Sequence, residues 1–464
     1  MSGEVLQLTH KDRGEKKRHI EENMTDQSLI QLAQRFGTPS YVFDTKALQE
    51  RMQQIQEIFG DKIRLCYSIK ANPFLIPAML EKAACLEVCS PGELSICERL
   101  KVPMDRIVYS GVNKEPKDVK RAVVVDRVGV CTAESLRHVE LLEKAAAERA
   151  ESVPGRENAD ELFSEEEQNG AGEDRVPVLL RLNSGAQFGM SERDLLSVIE
   201  KRAEYPHLEI VGVHYFVGTQ RKNRGLHQQK EELQMLKAFF AKVEKEYHFS
   251  LQRLEYGPGL PVPLFLGDDY SDTLAPAREL APFLREAAQW ADLTVEAGRF
   301  YTTACGYYLT KVMDRKLLDD GKQYCIVDGG IHHVNYLGQI MGMKEPVIRH
   351  FRGNGSADAD PAAVRYRRIS DKEEETGENY DNWVLCGSLC TTNDDLVRSR
   401  FMAEPEMGDL LVFENIGAYS VTEGIYLFLS RKMPRIVLYN DISDVRLVRD
   451  FVDSSLLNTP QSEE

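Results

Sequence analysis

Ile63-Arg64-Leu65-Cys66-Tyr67-Ser68, then Ala71 through Ala83, then Leu86-Glu87-Val88-Cys89 is the stretch that sets how this chain is read. Two short apolar runs flank a longer amphipathic one, the pattern of a strand, a crossover helix and a second strand parallel to the first. The alternation continues downstream. Helical spacing over Glu93–Leu100, Pro116–Arg121, Ser135–Glu148, Leu195–Arg202, His227–Glu244 and Leu280–Ala291 separates strand-like runs at Ile107–Ser110, Val128–Cys131, Val178–Leu182, Ile210–Tyr215, Arg253–Gly257 and Leu293–Glu296. Strands near eight in number, alternating with helices, predict an α/β protein built on a parallel β/α barrel. A doubly wound sheet is the weaker alternative, because no G-x-G-x-x-G follows the first strand. The polar, acidic run Glu151–Asp174, with Pro154, Gly155, Gly170 and Gly172, breaks the pattern and reads as a solvated surface excursion.

Beyond Arg299 the texture changes to Tyr, Val, Thr and Ile runs punctuated by Gly, Asp and Pro, at Tyr307–Leu317, Tyr324–Val327, Trp383–Leu385, Asp409–Phe413 and Arg435–Tyr439. These predict a second, mostly antiparallel β domain. Ile425–Leu429 and Val445–Val452 suit either more sheet or a subunit interface. At the other end, residues 1–25 are charge-dense and read as a frayed arm, Ser28–Phe36 has helical spacing, and Ser40–Phe43 reads as a short strand. The expected division is an N-terminal arm and segment packing with the C-terminal domain (1–44), a barrel (45–295) and a β domain (296–464).

With 58 Lys and Arg against 74 Asp and Glu, the net charge of −16 repels nucleic acid and anionic membrane surfaces, so neither is an expected partner. No window approaches eighteen uninterrupted apolar residues. Nine cysteines, an odd number with no apolar leader before them, suit reduced thiols in a cytoplasm. Cys85 with Cys89 and Cys386 with Cys390 have a short metal-like spacing, but nothing ties them into one closed site and no metal is expected.

Four motifs carry chemistry. In Cys66-Tyr67-Ser68-Ile69-Lys70-Ala71-Asn72-Pro73, a lysine ends a strand at the mouth of the barrel, where it suits an imine with an aldehyde cofactor. A snorkelling surface lysine is the bland reading of the same letters. Glu255-Tyr256-Gly257-Pro258-Gly259 places two glycines after a strand, as a phosphate cradle or as a plain turn. Glu296-Ala297-Gly298-Arg299 offers a carboxylate for a pyridine nitrogen and a planar cation for an anion, or a surface ion pair. In Gly212-Val213-His214-Tyr215-Phe216-Val217-Gly218-Thr219, alternation puts His214 and Phe216 on one face, with ordinary core packing the competing account.

Taken together and in this order, the motifs resemble the pyridoxal-phosphate-dependent decarboxylases of the alanine-racemase-like fold, the group of ornithine, arginine and diaminopimelate decarboxylases. The resemblance runs from about Leu29 to Tyr439. It implies pyridoxal 5'-phosphate as cofactor and a lyase that decarboxylates an amino acid. In that family's terms Lys70 forms the imine, Glu296 pairs with the pyridine nitrogen, and Thr219, Gly257, Gly259, Arg299 and Tyr419 surround the phosphate. Gly298 belongs to the same cofactor-side motif. Glu87, Ser90 and Glu93 match a patch near the cofactor, and Arg181 and His214 match cofactor-side positions. The family's second histidine, which stacks on the ring, is replaced by Phe216.

The late loop Gly387-Ser388-Leu389-Cys390-Thr391 matches a cysteine that reaches the partner subunit's site and protonates the product carbon. The resemblance therefore implies a homodimer with shared active sites. Diamine-forming members follow this cysteine with a carboxylate, whereas Thr391 is uncharged. Asp328-Gly329-Gly330-Ile331-His332-His333 is similar to a smaller subgroup acting on amino acids held on an acyl-carrier protein. His332 and His333 are candidates to line the substrate channel, although paired turn histidines more often face solvent. Arg349 is a candidate for an anionic part of the substrate, with a surface ion pair the safer reading. The rival functions are an amino-acid racemase of the same fold and a non-catalytic pyridoxal-phosphate-binding protein.

Overall fold

The computed structural model of the chain describes residues 24–152, 174–222, 225–337, 344–355, 358–370 and 377–461. Most of the expected N-terminal arm and the interior of the Glu151–Asp174 excursion lie outside them.

Eight parallel strands close into a barrel. They are β2 (Arg64–Ser68), β3 (Cys85–Val88), β4 (Ile107–Tyr109), β5 (Val130–Ala133), β6 (Val176–Arg181), β7 (Leu208–Phe216), β8 (Arg253–Gly257) and β9 (Asp292–Ala297), and β9 pairs back onto β2. Period-two alternation divides each strand's side chains between two environments. On β2, Leu65 and Tyr67 join the apolar shell beneath the helices, while Ser68 reaches Glu296 of β9 inside the barrel. The covering helices begin where a side chain can satisfy their first amides: Asp44 accepts from Ala47 N at 2.9 Å, Ser90 from Glu93 N at 3.1 Å and Ser135 from His138 N at 3.2 Å.

The C-terminal region forms a ten-stranded sheet that also takes in the first strand of the chain. β1 (Ser40–Asp44) lies antiparallel to β10 (Gly306–Leu317) and parallel to β17 (Arg435–Asp441). The remaining members are β11 (Gln323–Val327), β12 (Ile348–Gly353), β13 (Tyr366–Ile369), β14 (Tyr380–Cys386), β15 (Asp395–Ala403), β16 (Leu410–Glu414) and β18 (Asp444–Arg449). All pairings are antiparallel except β1 with β17 and β11 with β14. The helix Asp26–Phe36 lays Leu29, Leu32 and Phe36 on one face of this sheet, against Val42, Leu309, Phe351, Val412 and Val437. Among the described residues no helix is long and apolar enough to cross a membrane.

Gly212 of β7 shows how closely adjacent barrel strands approach: a Cβ there would lie 1.8 Å from the backbone oxygen of Arg253 on β8. Neither strand can move without breaking the ladder. Gly212→Ala is therefore expected to lower stability by about 2 kcal/mol or more, seen as a fall in the urea midpoint. Gly267→Ala, where a Cβ meets nothing within 4 Å, should leave the midpoint in place.

Candidate active site

β2 ends at Ser68, and a single tight turn, Ile69–Ala71, lifts Lys70 over the mouth of the barrel. That turn is stitched to the loop following β16. Tyr419 N donates to Ala71 O at 2.7 Å, Asn72 Nδ2 to Gly417 O at 3.1 Å, and Thr422 Oγ1 to Lys70 O at 3.1 Å. Gly298 underlies it from β9's end, where a Cβ would press within 2.8 Å of Ala71 Cβ. Lys70 Nζ donates to Glu87 Oε2 at 2.5 Å and to Cys89 Sγ at 3.4 Å, and lies 3.8 Å from Glu296 Oε1. Burial alone would push the ammonium's pKa down. The Glu87 carboxylate, with Cys89 and Glu296, outweighs that and holds it well above the usual lysine value.

Glu296 is buried and fully engaged: Ser68 Oγ donates to one oxygen at 2.6 Å and His214 Nε2 hydrogen bonds to the other at 3.0 Å. Burial raises its pKa, but the charge of Lys70 and the contact with His214 reverse the sign and keep the carboxyl ionised, well below the usual range. Lys70 and Glu296 thus meet at one end of the barrel.

The glycine turn after β8 lies close by. Gly259 adopts φ +62°, and a Cβ on it would meet the Gly218 carbonyl oxygen at 2.0 Å. The Phe216 ring packs over Gly257, its Cδ2 2.4 Å from where a Cβ would stand. Thr219 is exposed on the neighbouring loop after β7. Arg299 is buried, its Cζ lies 4.4 Å above the Tyr419 ring, one nitrogen donates to Tyr336 O, and Nε has no hydrogen-bond partner. Arg181 is committed to an ion pair with Glu134 at 2.9 Å and stacks on Phe188. Ser90 and Glu93 make a reciprocal cap instead of touching Lys70: Glu93 Oε2 accepts from Cys89 N at 2.7 Å, which fixes the turn carrying Cys89.

The later candidates lie in the C-terminal sheet. Cys390 is exposed on the loop between β14 and β15, with Thr391 beside it, and no described hydrogen bond or ion pair joins it to the barrel mouth. Asp394 pins this loop to the Gly330–His333 turn, accepting from Ile331 N and Leu389 N at 2.7 Å each. His332 and His333 do not face solvent. Both are 1% exposed and their rings lie 3.6 Å apart. Burial pushes His332 down to about 4 and His333 well below the usual imidazole value, which favours the neutral form of both. Their packing beneath the Tyr41 and Tyr426 contacts, invisible in a local turn motif, overrides the solvent-facing expectation.

Arg349 is corrected more sharply. It is 2% exposed, and Glu414 at 2.7 Å, Asp26 at 2.9 Å and Met24 O at 3.0 Å occupy its guanidinium, which leaves no face for a substrate and no surface pair. The two cysteine pairs are not gathered either: Cys85 interacts with Cys66 in the barrel and Cys89 with Lys70, while Cys386 reaches Asp395 in the sheet.

Residues that the motifs did not single out complete the site: Ser68 on Glu296, Cys89 on Lys70, Glu134 on Arg181, and Asn72 as the tie to Gly417. Inward alternation along β2 is the signal that marks Ser68; the others depend on contacts across the sequence.

Since Glu87 is the strongest opposite charge on Lys70, Glu87→Gln is expected to lower the lysine's proton affinity. The pH profile for borohydride trapping of a small aldehyde on Lys70 should move toward lower pH, and an unmoved profile would contradict this electrostatic account.

An amine at a barrel mouth, an ionised carboxylate beside it, a glycine turn no side chain can enter and a buried arginine with a spare N–H fit a phosphorylated pyridine aldehyde. Comparison with known proteins agrees. The family profile described as "Pyridoxal-dependent decarboxylase, pyridoxal binding domain" matches residues 45–303, more than half of the 464. The chain is 25% identical to a diaminopimelate decarboxylase of Aquifex aeolicus, covering 91% of each chain. It is likewise 25% identical to the L-glutamyl-[BtrI acyl-carrier protein] decarboxylase of Niallia circulans, covering 90% of this chain and 92% of that one. The crystal structure of the diaminopimelate decarboxylase of M. jannaschii shares the fold with a TM-score of 0.74 at 20% identity, covering 94% of each chain. Fold, mouth geometry and family match converge, and the chain belongs to the pyridoxal-dependent decarboxylases.

Proposed function

We propose that this pyridoxal-phosphate-dependent carboxy-lyase decarboxylates an amino acid or amino-acid derivative whose far end carries no free ammonium, with a carrier-linked acyl amino acid as the leading candidate. The observation that carries the catalytic reading is the Lys70–Glu87–Glu296 constellation at the barrel mouth. Pyridoxal phosphate, when bound, supplies the electron sink that makes loss of carbon dioxide feasible. Lys70 offers the amine that binds the aldehyde, and Glu87, 2.5 Å away, accepts the proton that the ammonium must shed. Glu296 presents an ionised oxygen to the pyridine nitrogen, held in place by Ser68 and His214. The glycine turn, Thr219, Arg299 and Tyr419 hold the phosphate, and Phe216 offers a flat apolar face in the place of a histidine.

Glu296 also separates the main reading from a racemase. A carboxylate favours a protonated ring and carbanion delocalisation, whereas a racemase typically sets arginine there. For the substrate's far end, Thr391 is uncharged and His332 and His333 are neutral, so a distal ammonium finds no counter-charge from these residues. An amide- or thioester-linked side chain needs none. The Niallia circulans relative, named for a glutamyl carrier-protein substrate, supports this choice. We place the enzyme in the cytoplasm as a homodimer, in which Cys390 of one subunit protonates the product carbon in the site of the other.

Two experiments test this. A mass-resolved turnover screen of free amino acids, diaminopimelate and a carrier-linked glutamate is expected to show carbon dioxide loss with the carrier-linked substrate preferred. Preference for diaminopimelate or a basic amino acid would reject the substrate assignment, and inverted amino acid without carbon dioxide would reject the lyase. Shared sites are tested by mixing: Lys70→Ala and Cys390→Ala are each expected to be inactive alone, and their equal mixture to recover about a quarter of wild-type activity, because half the dimers then hold one intact site of two. No recovery after subunit exchange would show that Lys70 and Cys390 do not serve one site from different subunits.

A further inference from the structure

The barrel has a second polar opening at the end opposite Lys70. A cavity of about 300 Å³ lies at the N-terminal ends of the strands, with Arg64, Arg106 and Arg253 at its rim and Glu255 among its lining residues. Water needs roughly 30 Å³ per molecule in the liquid, so the cavity has room for several. Gly212 contributes no side chain to this layer, and none can be added beside Arg253.

Glu255 itself is 3% exposed, and its Oε1 has no hydrogen-bond partner. It is the register neighbour of His214 across β7 and β8. Ligand-type atoms of His214, Glu255 and Glu296 all lie within 4.8 Å of one another, a gap that one water spans. His214 bonds Glu296 through Nε2, and its Nδ1 is buried without a partner. The buried column is therefore continuous from basal cavity to Glu255 to the Glu296–His214 pair, and from there to Lys70.

Two carboxyls this close do not both ionise in a buried site. Glu296 is the ionised one, because Lys70 and His214 face it. Around Glu255 stand Cys85 and Glu87 on β3, Cys66 on β2, His214 on β7 and Glu296 on β9. Burial first, then Cys85, Glu296 and Glu87, push its pKa well above the usual value, and the more distant Lys70 opposes them. Of the rim cations, Arg64 is paired with Asp292 at 2.8 Å and Arg106 with backbone carbonyls of Leu80, Ala83 and Ala84. Glu255 thus stands between the basal cavity on one side and the Glu296–His214 pair on the other, with its carboxyl pushed toward the protonated form.

We propose that Glu255 passes protons between solvent in the basal cavity and the Glu296–His214 pair, so that this pair equilibrates with water from the end of the barrel opposite the substrate. A proton leaving the Glu255 carboxyl for the pair is replaced from cavity water; no carbon bond and no electron count changes. The role toward the cofactor rests on Glu296 as the pyridine partner, whereas the proton path belongs to the protein alone.

Infrared spectroscopy tests the path in apoenzyme and holoenzyme transferred to D2O, with Glu255→Gln used to isolate one protonated-carboxyl stretch. The expected result is an acid band absent from E255Q that shifts on deuteration equally fast with and without cofactor. Thr294→Leu, which fills the cavity wall and leaves Glu255 in place, should keep the band and slow its shift at least about tenfold. A spectrum unchanged in E255Q, exchange that stops when the cofactor occupies the mouth, or an unaltered rate in T294L would overturn the proposal. Failure of the cofactor reading shows separately, as a reconstituted sample without the visible absorption of a lysine-bound pyridoxal, and leaves the apoenzyme result standing.

Discussion

A cation and two carboxylates share the mouth of this barrel, and much of the surrounding structure is arranged to keep them there. Glu87, 2.5 Å away, holds the Lys70 proton against the cost of burial, and Lys70 and His214 favour the ionised form of Glu296 against the same cost. Charges at such depth persist only when every lone pair and donor is matched. Ser68 and His214 accordingly take the two oxygens of Glu296, and Glu134 takes the charge of Arg181. Barrel interiors of this type are usually filled by branched apolar side chains. Here the inner positions of β2, β3, β7, β8 and β9 include Cys66, Ser68, Glu87, His214, Glu255 and Glu296, which leaves stability to the shell between strands and helices, where Leu65, Tyr67, Leu86 and Leu254 are fully buried.

The second region is more than an appendage. The loop after β16 holds the lysine turn at three hydrogen bonds and supplies Tyr419, whose φ of 68° is a left-handed conformation rarely adopted by a bulky residue. Such a conformation persists where surroundings over-determine it, and Tyr419 N is fixed to Ala71 O while its ring lies under Arg299. Arg349, far from being a substrate contact, holds the end of β16 through Glu414 and ties it to the N-terminal helix through Asp26.

What was legible in the sequence follows from how local each signal is. The barrel could be read because eight strand-like runs alternate with helical spacing, and Lys70, Glu296 and the glycine turn because each ends a strand whose direction fixes the mouth. β12, β13 and β15 do not read as strands, and β18 does so only as one of two alternatives, because charged side chains mask their alternation. In β12, Arg349 and His350 are buried against Glu414 and Asp409, partners about sixty residues away in the chain. The same limit applies to His332 and His333, whose two-residue turn is exposed by local rules and buried by Tyr41 and Tyr426 from opposite ends of the sequence. Cys89 reads only as half of a metal-like spacing with Cys85, because its partner, Lys70, belongs to a different strand end.

The placement of β1 has a consequence for how the polypeptide reaches this state. Its residues Ser40–Asp44 pair with Arg435–Tyr439, so an early strand is flanked by one made almost four hundred residues later. Barrel strands β2 to β9 all pair among themselves and need nothing beyond residue 297. During synthesis the barrel can close while Tyr41, Val42 and Phe43 still lack their strand partners, and this apolar stretch stays open to mispairing until residues 435–441 have been made. The lysine turn, fastened by residues 417–422, is completed within the same late interval.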